Sequence, residues 1–321
     1  MPHINIKKGH DIRISGKPDK NIASLNNPKT LAILPTDFKG VKPKLIVKEG
    51  DKVKIGSSLF FDKNNPDIKW ASPGAGKIKN IEYGPRRVIQ KIEILLSDNQ
   101  ENIEHKKYKR TDITNLGRKQ VLSSILEANI FPIFRQRPFN IIPDPAISPR
   151  DIFVSAVDTS PLGVDLDMVM VDEVENFQAG MDVLNILTDG KVYLTTKPGS
   201  VLSSIQNVEL NTISGPHPAG NIGIQIHHIS HLKPGDSIWT INSQDVLTLG
   251  KLFLGGFYDP SKVVTLGGPC VSNPGHFRIT QGATMASIIG DRLNKEDSRI
   301  ISGDVLTGRG SSLEDYISYY D

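Results

Sequence analysis

The sequence has little of what several common protein classes require. It contains one cysteine, Cys270, among 321 residues, which excludes a disulfide framework and any cysteine-rich zinc site or iron–sulfur cluster held by this chain alone. It has no apolar run close to the roughly 18 residues of a membrane span, and its first residues lack an apolar signal core. We therefore expect a soluble, cytoplasmic protein of two or three domains.

The glycines do not form a nucleotide-binding loop. The chain contains neither G-x-G-x-x-G nor the Walker pattern G-x-x-x-x-G-K-[ST], and no helix is predicted after Gly74-Ala-Gly76. Such a loop is needed where backbone approaches a phosphate at the start of a helix. The sequence therefore predicts that this chain binds neither NAD nor ATP in the usual way.

Charge is unevenly distributed along the chain. Residues 1–110 hold 23 Lys and Arg against 12 Asp and Glu, a net of +11, whereas residues 111–321 hold 15 against 23, a net of −8. The basic part suits an anionic membrane surface or an acidic partner, and equally an ordinary lysine-rich surface. Aromatic residues are not interleaved with the lysines, so we expect no nucleic-acid partner.

The hydrophobic pattern predicts a multidomain α+β or α/β protein. Short β-type runs separated by turns fill residues 1–100, strands and helices alternate over 111–257, and 258–321 resembles a small β-grasp unit. In the central domain we predict a strand over Asn221–Ser230 and a helix capped at its start by Ser243.

Histidines are the next candidates for chemistry. His227, His228 and His231 cluster, but on the predicted strand His227 and His228 would point to opposite faces, which favours structural roles over a metal site. The stretch Gly215–Gly220 holds His217 in a proline-rich loop that is either a ligand-binding loop or an ordinary turn. We predict no metal site, and the sequence offers no catalytic acid–base or nucleophile set.

The segment Phe131–Phe139 combines three aromatic residues with two arginines. Aromatic faces and guanidinium donors together suit a planar ring with carbonyl oxygens, such as a quinone. The alternative is a core-filling loop with ion-paired arginines. Because prolines recur in and after this segment, we expect it to be irregular. The candidate quinone-binding residues are Phe131, Phe134, Arg135, Arg137 and Phe139, with His217 as a further donor.

Several segments in order along the chain resemble one family. They include Ile6-Lys-Lys-Gly9, Val47–Gly56, Arg135-Gln-Arg-Pro-Phe139, Gly215–Gly220 and Gly250-Lys-Leu-Phe-Leu254. Together the sequence resembles the NqrA subunit of the bacterial sodium-translocating NADH:quinone oxidoreductase. Members of that family continue with a further helical part, so we expect this chain to be truncated at its C-terminus.

The resemblance implies a fold for each range. Residues 1–100 would form a lipoyl/biotinyl-like β half-barrel, 111–257 a Rossmann-like α/β domain similar to the flavin-site subunit of complex I, and 258–321 a soluble-ligand-binding β-grasp domain. Lys63 lacks the D-K-A or M-K-M context of a modified carrier lysine. Where the complex I relatives have a glycine-rich flavin loop, Ile130–Phe139 carries bulky side chains, so we expect no flavin.

The resemblance also implies a function. The chain would be a peripheral subunit on the cytoplasmic face of the bacterial inner membrane. Its partners would be the integral membrane and flavin-bearing subunits of the complex, the membrane surface and quinone. NADH and flavins would bind other subunits, ubiquinone would be the substrate of the complex, and the isolated chain would be inactive. The alternative is a purely structural docking subunit without a redox ligand.

Overall fold

The structure is a computed structural model that describes residues 1–25, 28–294 and 298–321. The strands, in chain order, are β1 His3–Asn5, β2 Ile22–Ser24, β3 Thr30–Ile33, β4 Pro43–Leu45, β5 Lys52–Val53, β6 Ser58–Asp62, β7 Asn65–Ala71, β8 Gly76–Tyr83, β9 Ile89–Leu96, β10 Arg135–Arg137, β11 Ile152–Ser155, β12 Val192–Thr196, β13 Glu209–Ser214, β14 Ile238–Asn242, β15 Ser261–Leu266, β16 Gly275–Thr280, β17 Ile300–Ser302 and β18 Arg309–Ser311. The α-helices are α1 Arg110–Ile113, α2 Arg118–Glu127, α3 Leu166–Met170, α4 Val174–Leu187, α5 Ile222–Ile229, α6 Ser243–Gly255 and α7 Met285–Ile289. Short 3-10 helices span Pro35–Asp37, Pro85–Arg87, Phe131–Ile133 and Val201–Ser204.

The chain divides into two compact units. The first, here the α/β unit, comprises Met1–Asp11, Glu104–Thr159 and Asp165–Asp259. The second, here the β-rich unit, comprises Ile12–Ile103, Ser160–Val164 and Pro260–Asp321. The first residues of the chain thus lie with the central sheet, because β1 pairs with β13, although the range 1–100 grouped them with the half-barrel. The division at 1–100, 111–257 and 258–321 stays a prediction.

The α/β unit is built on a six-stranded sheet with the order β1-β13-β12-β11-β14-β10. Neighbouring strands from β1 to β14 are parallel, and β10 joins the edge antiparallel to β14. The central strand β11 is buried along Ile152–Val154, as expected for a parallel strand covered on both faces. Helix α5 packs on one face, where Ile226 contacts Phe153 and Ile238.

Two other helices of this unit approach each other unusually closely. Helices α4 and α6 pack together, and the contact is made at glycines. A Cβ atom built at Gly250 would lie 1.8 Å from the carbonyl oxygen of Asn176, and one built at Gly180 would lie 2.2 Å from that of Val246. The absence of a side chain at both positions therefore permits the backbones to touch.

The β-rich unit contains four small sheets. The antiparallel orders β3-β9-β8-β5 and β4-β6-β7 come from residues 30–96. A third sheet has the order β15-β16-β2, in which β2 is parallel to β16, and β17 pairs with β18. No helix within residues 1–25, 28–294 and 298–321 combines the length and apolar character of a membrane span.

Three local predictions are wrong. Residues predicted as a strand over Asn221–Ser230 form helix α5, because Ile222, Ile226 and Ile229 recur at helical spacing and pack against the core around Phe153. Helix α6 is capped by Asn242 and not by Ser243. The Asn242 side chain accepts a hydrogen bond from the backbone N–H of Gln244 at 3.0 Å.

The third concerns Phe131–Phe139, which is more regular than expected. A 3-10 turn over Phe131–Ile133 leads directly into strand β10. The prolines are accommodated because Pro132 lies in the first turn of the 3-10 helix and Pro138 follows the strand.

Candidate functional site

The two aromatic residues at the start of the candidate quinone segment lie in the core of the α/β unit. Phe131 and Phe134 are 0% exposed. Their ring centroids lie 5.7 and 5.2 Å from that of Trp239, and 5.4 Å from each other. Rings at these separations form a packed aromatic cluster. The core-filling interpretation therefore describes these two residues, which form a firm base beneath strand β10.

The two arginines lie on strand β10 and share one of its faces. Arg135 is opposite Thr240 and Arg137 opposite Ile238 on β14, and alternate residues of a strand point to the same side. The Arg135 guanidinium donates through Nη2 to the carbonyl oxygen of Asn140 at 2.5 Å and through Nε to the Asn140 side-chain oxygen at 3.3 Å. This fixes Arg135 over the turn that follows the strand.

Arg137 is in a different environment. Its side chain is half-buried, and its Nε is buried without an acceptor among the described residues. No carboxylate in residues 1–25, 28–294 and 298–321 lies within ion-pair distance of it. Burial and the neighbouring Arg135 both lower the pKa of the Arg137 guanidinium. The ion pair that the core-filling interpretation requires is therefore not found at Arg137.

Phe139 lies just beyond this strand and faces solvent. It is 66% exposed, the second most exposed of the large hydrophobic residues after Met1. The peptide bond between Arg137 and Pro138 is cis. Strand β10 and its following turn thus present two cationic side chains and one aromatic side chain within five residues, above a buried aromatic base.

His217 lies elsewhere in the α/β unit. It follows β13, the fourth strand from β10 in the sheet, or roughly 19 Å away at 4.8 Å per strand. It also lies beyond the carboxyl end of β13, whereas Arg137 is opposite Ile238 at the amino end of the parallel strand β14. The structure therefore does not bring His217 together with the arginines.

The loop around His217 is tied to the first residues of the chain. The His217 backbone N–H donates to the Asp11 carboxylate at 2.9 Å, and its carbonyl oxygen accepts from the His10 N–H at 2.9 Å. Its Nδ1 lies 3.2 Å from the Thr159 hydroxyl oxygen. These contacts describe a firmly held turn.

The other histidine cluster lies on the surface at the end of α5. His227 and His228 are both exposed, with ring centroids 5.1 Å apart. Because they are on a helix, they are neighbours on its surface and do not point to opposite faces as the strand prediction required. In the part of the chain that the structure describes, no three His, Cys, Asp or Glu side chains are placed to hold a metal ion.

Two residues of the site went unnoticed in the sequence. Trp239 packs against both buried phenylalanines, and its indole Nε1 is buried without an acceptor among the described residues. Only the pairing of β10 with β14 brings it there. Asn140 holds Arg135 and has a φ of 53°. The sequence did carry a signal for it, since asparagine is favoured at left-handed turn positions.

Comparison with known proteins gives matches along nearly the whole chain. Residues 4–97 match the model described as the NqrA N-terminal barrel-sandwich hybrid domain, and 116–258 that of the NqrA second alpha/beta domain. Residues 263–312 match the NQRA C-terminal domain. The NqrA subunit of the Na(+)-translocating NADH-quinone reductase of Pseudomonas aeruginosa strain UCBPP-PA14 is 38% identical over 308 residues, covering 95% of this chain and 68% of that protein. This chain belongs to the NqrA family.

A second NqrA relative extends the match. The corresponding protein of Pasteurella multocida strain Pm70 is 37% identical over 320 residues, which is 99% of this chain and 72% of that protein. The family assignment confirms the resemblance found in the sequence and the predicted fold class, with a barrel-sandwich domain, an α/β domain and a small C-terminal domain.

Solved structures give a weaker likeness. A crystal structure of an NAD+-reducing nickel–iron hydrogenase in the air-oxidized state has 15% sequence identity and a TM-score of 0.45. The match covers 69% of this chain and 50% of that one.

Proposed function

We propose that this chain acts as the NqrA subunit of a sodium-translocating NADH-quinone reductase and contributes to binding the ubiquinone that the complex reduces. It would be a peripheral subunit on the cytoplasmic face of the bacterial inner membrane, with integral membrane and flavin-bearing subunits as partners. Family membership supports the first part of this proposal. The quinone role rests on strand β10 and needs its own argument.

The observation that carries the quinone role is the environment of Arg137. A half-buried guanidinium with a buried, unsatisfied Nε is costly, since an unmet buried donor is worth about 1–3 kcal/mol. A ligand that presents an oxygen acceptor would remove this cost. A quinone carries two such oxygens on opposite sides of its ring, and both become more negative as electrons arrive.

The surroundings of Arg137 fit the rest of a quinone ring. Arg135 is already oriented by Asn140, so a second cation is held on the same face of the strand at little further entropic cost. The exposed ring of Phe139 supplies an apolar contact. The buried pair Phe131 and Phe134 supports the strand from behind and does not itself contact the ligand. His217 has no part in this site.

The division of labour within the complex follows from the same residues. Reduction of a quinone needs two electrons and two protons, and the arginines would stabilise the negative charge that develops on a quinone oxygen. They cannot deliver electrons. We propose that NADH and the flavins bind other subunits, because the bulky Phe131 and Phe134 fill the place where backbone would have to approach a flavin phosphate.

The proposal is tested by calorimetric titration of the chain with a short-chain ubiquinone. We expect saturable binding near one per chain, and a loss of tenfold or more in affinity for the double variant Arg135→Gln, Arg137→Gln, since a hydrogen bond to a charged group is worth about 1.5–3 kcal/mol. The matched control is Arg86→Gln, Arg87→Gln, which removes two exposed arginines from the β-rich unit. Equal affinities for the two double variants would remove this site.

The alternative function, a structural docking subunit without a redox ligand, has a distinct outcome in the same titration. It predicts no saturable quinone binding by the wild-type chain. Under either function the isolated chain should not oxidise NADH, so measurable turnover would contradict the assignment of NADH and flavin to other subunits.

A further inference from the structure

The β8–β9 hairpin of the β-rich unit ends in an exposed basic tip. Arg86 and Arg87 lie between the strands with φ of 56° and 58°, a backbone conformation that favours glycine or asparagine. Both are exposed, and neither pairs with a carboxylate among the described residues. They are flanked by Tyr83 and Val88, which are 47% and 46% exposed. The tip therefore presents two guanidiniums beside two apolar side chains.

The other end of the same hairpin is basic for a separate reason. Lys52 on β5 is directly opposite Lys77 on β8, and Lys77 is opposite Leu95 on β9. Like charges in directly opposite positions destabilise a sheet, and no carboxylate in the described ranges pairs with either lysine. Leu95 beside them is 46% exposed.

The middle of the hairpin is electrically balanced, in contrast to both ends. Lys79 pairs with Glu93 at 2.9 Å and Lys91 with Glu82 at 2.8 Å. Uncompensated charge is thus confined to Lys52, Lys77, Arg86 and Arg87, here called the basic ribbon. Strand β8 has eight residues between its ends, so the ribbon is roughly 25 Å long at about 3.3 Å per residue.

The chemistry of the basic ribbon indicates what it binds. Guanidinium groups bind phosphate oxygens through paired hydrogen bonds, and arginine and lysine stems beside Tyr, Val or Leu are typical of side chains that enter a lipid headgroup layer. A stable protein interface buries about 800 Å² per partner around a contiguous apolar centre. The apolar side chains here are divided between the two ends of the hairpin, so they do not form such a centre.

We propose that the basic ribbon binds the phosphate headgroups of an anionic bilayer surface. This inference rests on the membrane location in the proposed function and specifies the surface responsible. It is independent of the quinone site, which lies in the other unit.

The test is co-sedimentation of the chain with vesicles of phosphatidylglycerol and phosphatidylcholine, and with vesicles of phosphatidylcholine alone, all free of quinone. We expect binding to the anionic vesicles only, weakened by added salt. Each basic residue near an anionic surface contributes roughly fivefold to affinity. Arg86→Gln, Arg87→Gln should therefore bind about 25-fold more weakly, and Lys52→Gln, Lys77→Gln similarly.

The matched control is Lys39→Gln, Lys63→Gln, which removes two exposed lysines from the same unit but outside the ribbon. It should change affinity by less than about twofold. Circular dichroism and thermal unfolding confirm that each variant is folded. Equal losses in all three double variants would indicate diffuse charge and overturn the ribbon. Absence of binding to anionic vesicles at low salt would also overturn it, in favour of an acidic protein partner, whatever the quinone titration gives.

Discussion

Replacement of Gly250 by alanine should destabilise the α/β unit, although the same change stabilises most helices. Alanine is favoured over glycine in a helix by about 1 kcal/mol. At Gly250, however, the new Cβ would lie 1.8 Å from the Asn176 carbonyl oxygen, whereas carbon and oxygen atoms normally approach to about 3.3 Å. Helices α4 and α6 would have to separate by about 1.5 Å, since neither backbone atom can rotate away.

Overpacking of this kind costs about 3 kcal/mol where the backbone must move, so the net destabilisation should be about 2 kcal/mol. In a unit of this size it lowers Tm by about 4–8 °C. Thermal unfolding followed by circular dichroism measures it. The matched control is Gly223→Ala in α5, where nothing lies within 4 Å of the new Cβ. That variant should be more stable by about 0.5–1 kcal/mol. An unchanged or raised Tm for Gly250→Ala would refute the close contact of the two helices.

Three further predictions concern single side chains. Asn242→Ala should cost about 1 kcal/mol of unfolding free energy because it removes the cap of α6, whereas Ser243→Ala should cost less than about 0.5 kcal/mol because the buried Ser243 hydroxyl has no partner among the described residues; a larger loss at Ser243 in urea unfolding would restore it as the cap. Tyr316→Phe should cost about 1–3 kcal/mol, since its hydroxyl donates to the buried Glu93 at 2.8 Å; an unchanged urea midpoint would contradict this bond. Burial raises the pKa of Glu93, but hydrogen bonds from Lys79 and Tyr316 lower it by more, so its net shift is downward. Its stabilising effect is therefore present above pH 4.5 and lost as the pH falls further. Between pH 7 and pH 3, Glu93→Gln should lose less stability than wild type, and parallel pH profiles would argue against the shift.

Local pattern was sufficient where the pattern was unambiguous. The apolar run at Ile152–Ser155, the run at Val192–Thr196 and the periodic helix at Ser243–Gly255 were each predicted to within a few residues. The segment Ile222–Ile229 was not, because its isoleucines fit both a two-residue and a helical period. Only packing against Phe153 decides between them.

The candidate site shows the same limit. Nothing local distinguishes Phe131 and Phe134, which are buried, from Phe139, which is exposed. The difference arises because β10 pairs with a strand about a hundred residues later, which turns the first two rings towards Trp239. Likewise, the unsatisfied Arg137 is a property of its surroundings and not of its neighbours in sequence.

Strand β1 has a consequence for how this chain is made. His3, Ile4 and Asn5 pair with Thr212, Ile213 and Ser214, so these residues leave the ribosome and then wait for partners more than two hundred residues behind them. At about 5–20 residues per second, this delay is roughly 10–40 s. The edge of the central sheet is therefore closed late, after β11, β12 and β13 have been synthesised. An affinity tag fused ahead of Met1 would sit beside that late-closing edge, and a tag that slows its closure should lower the yield of folded protein.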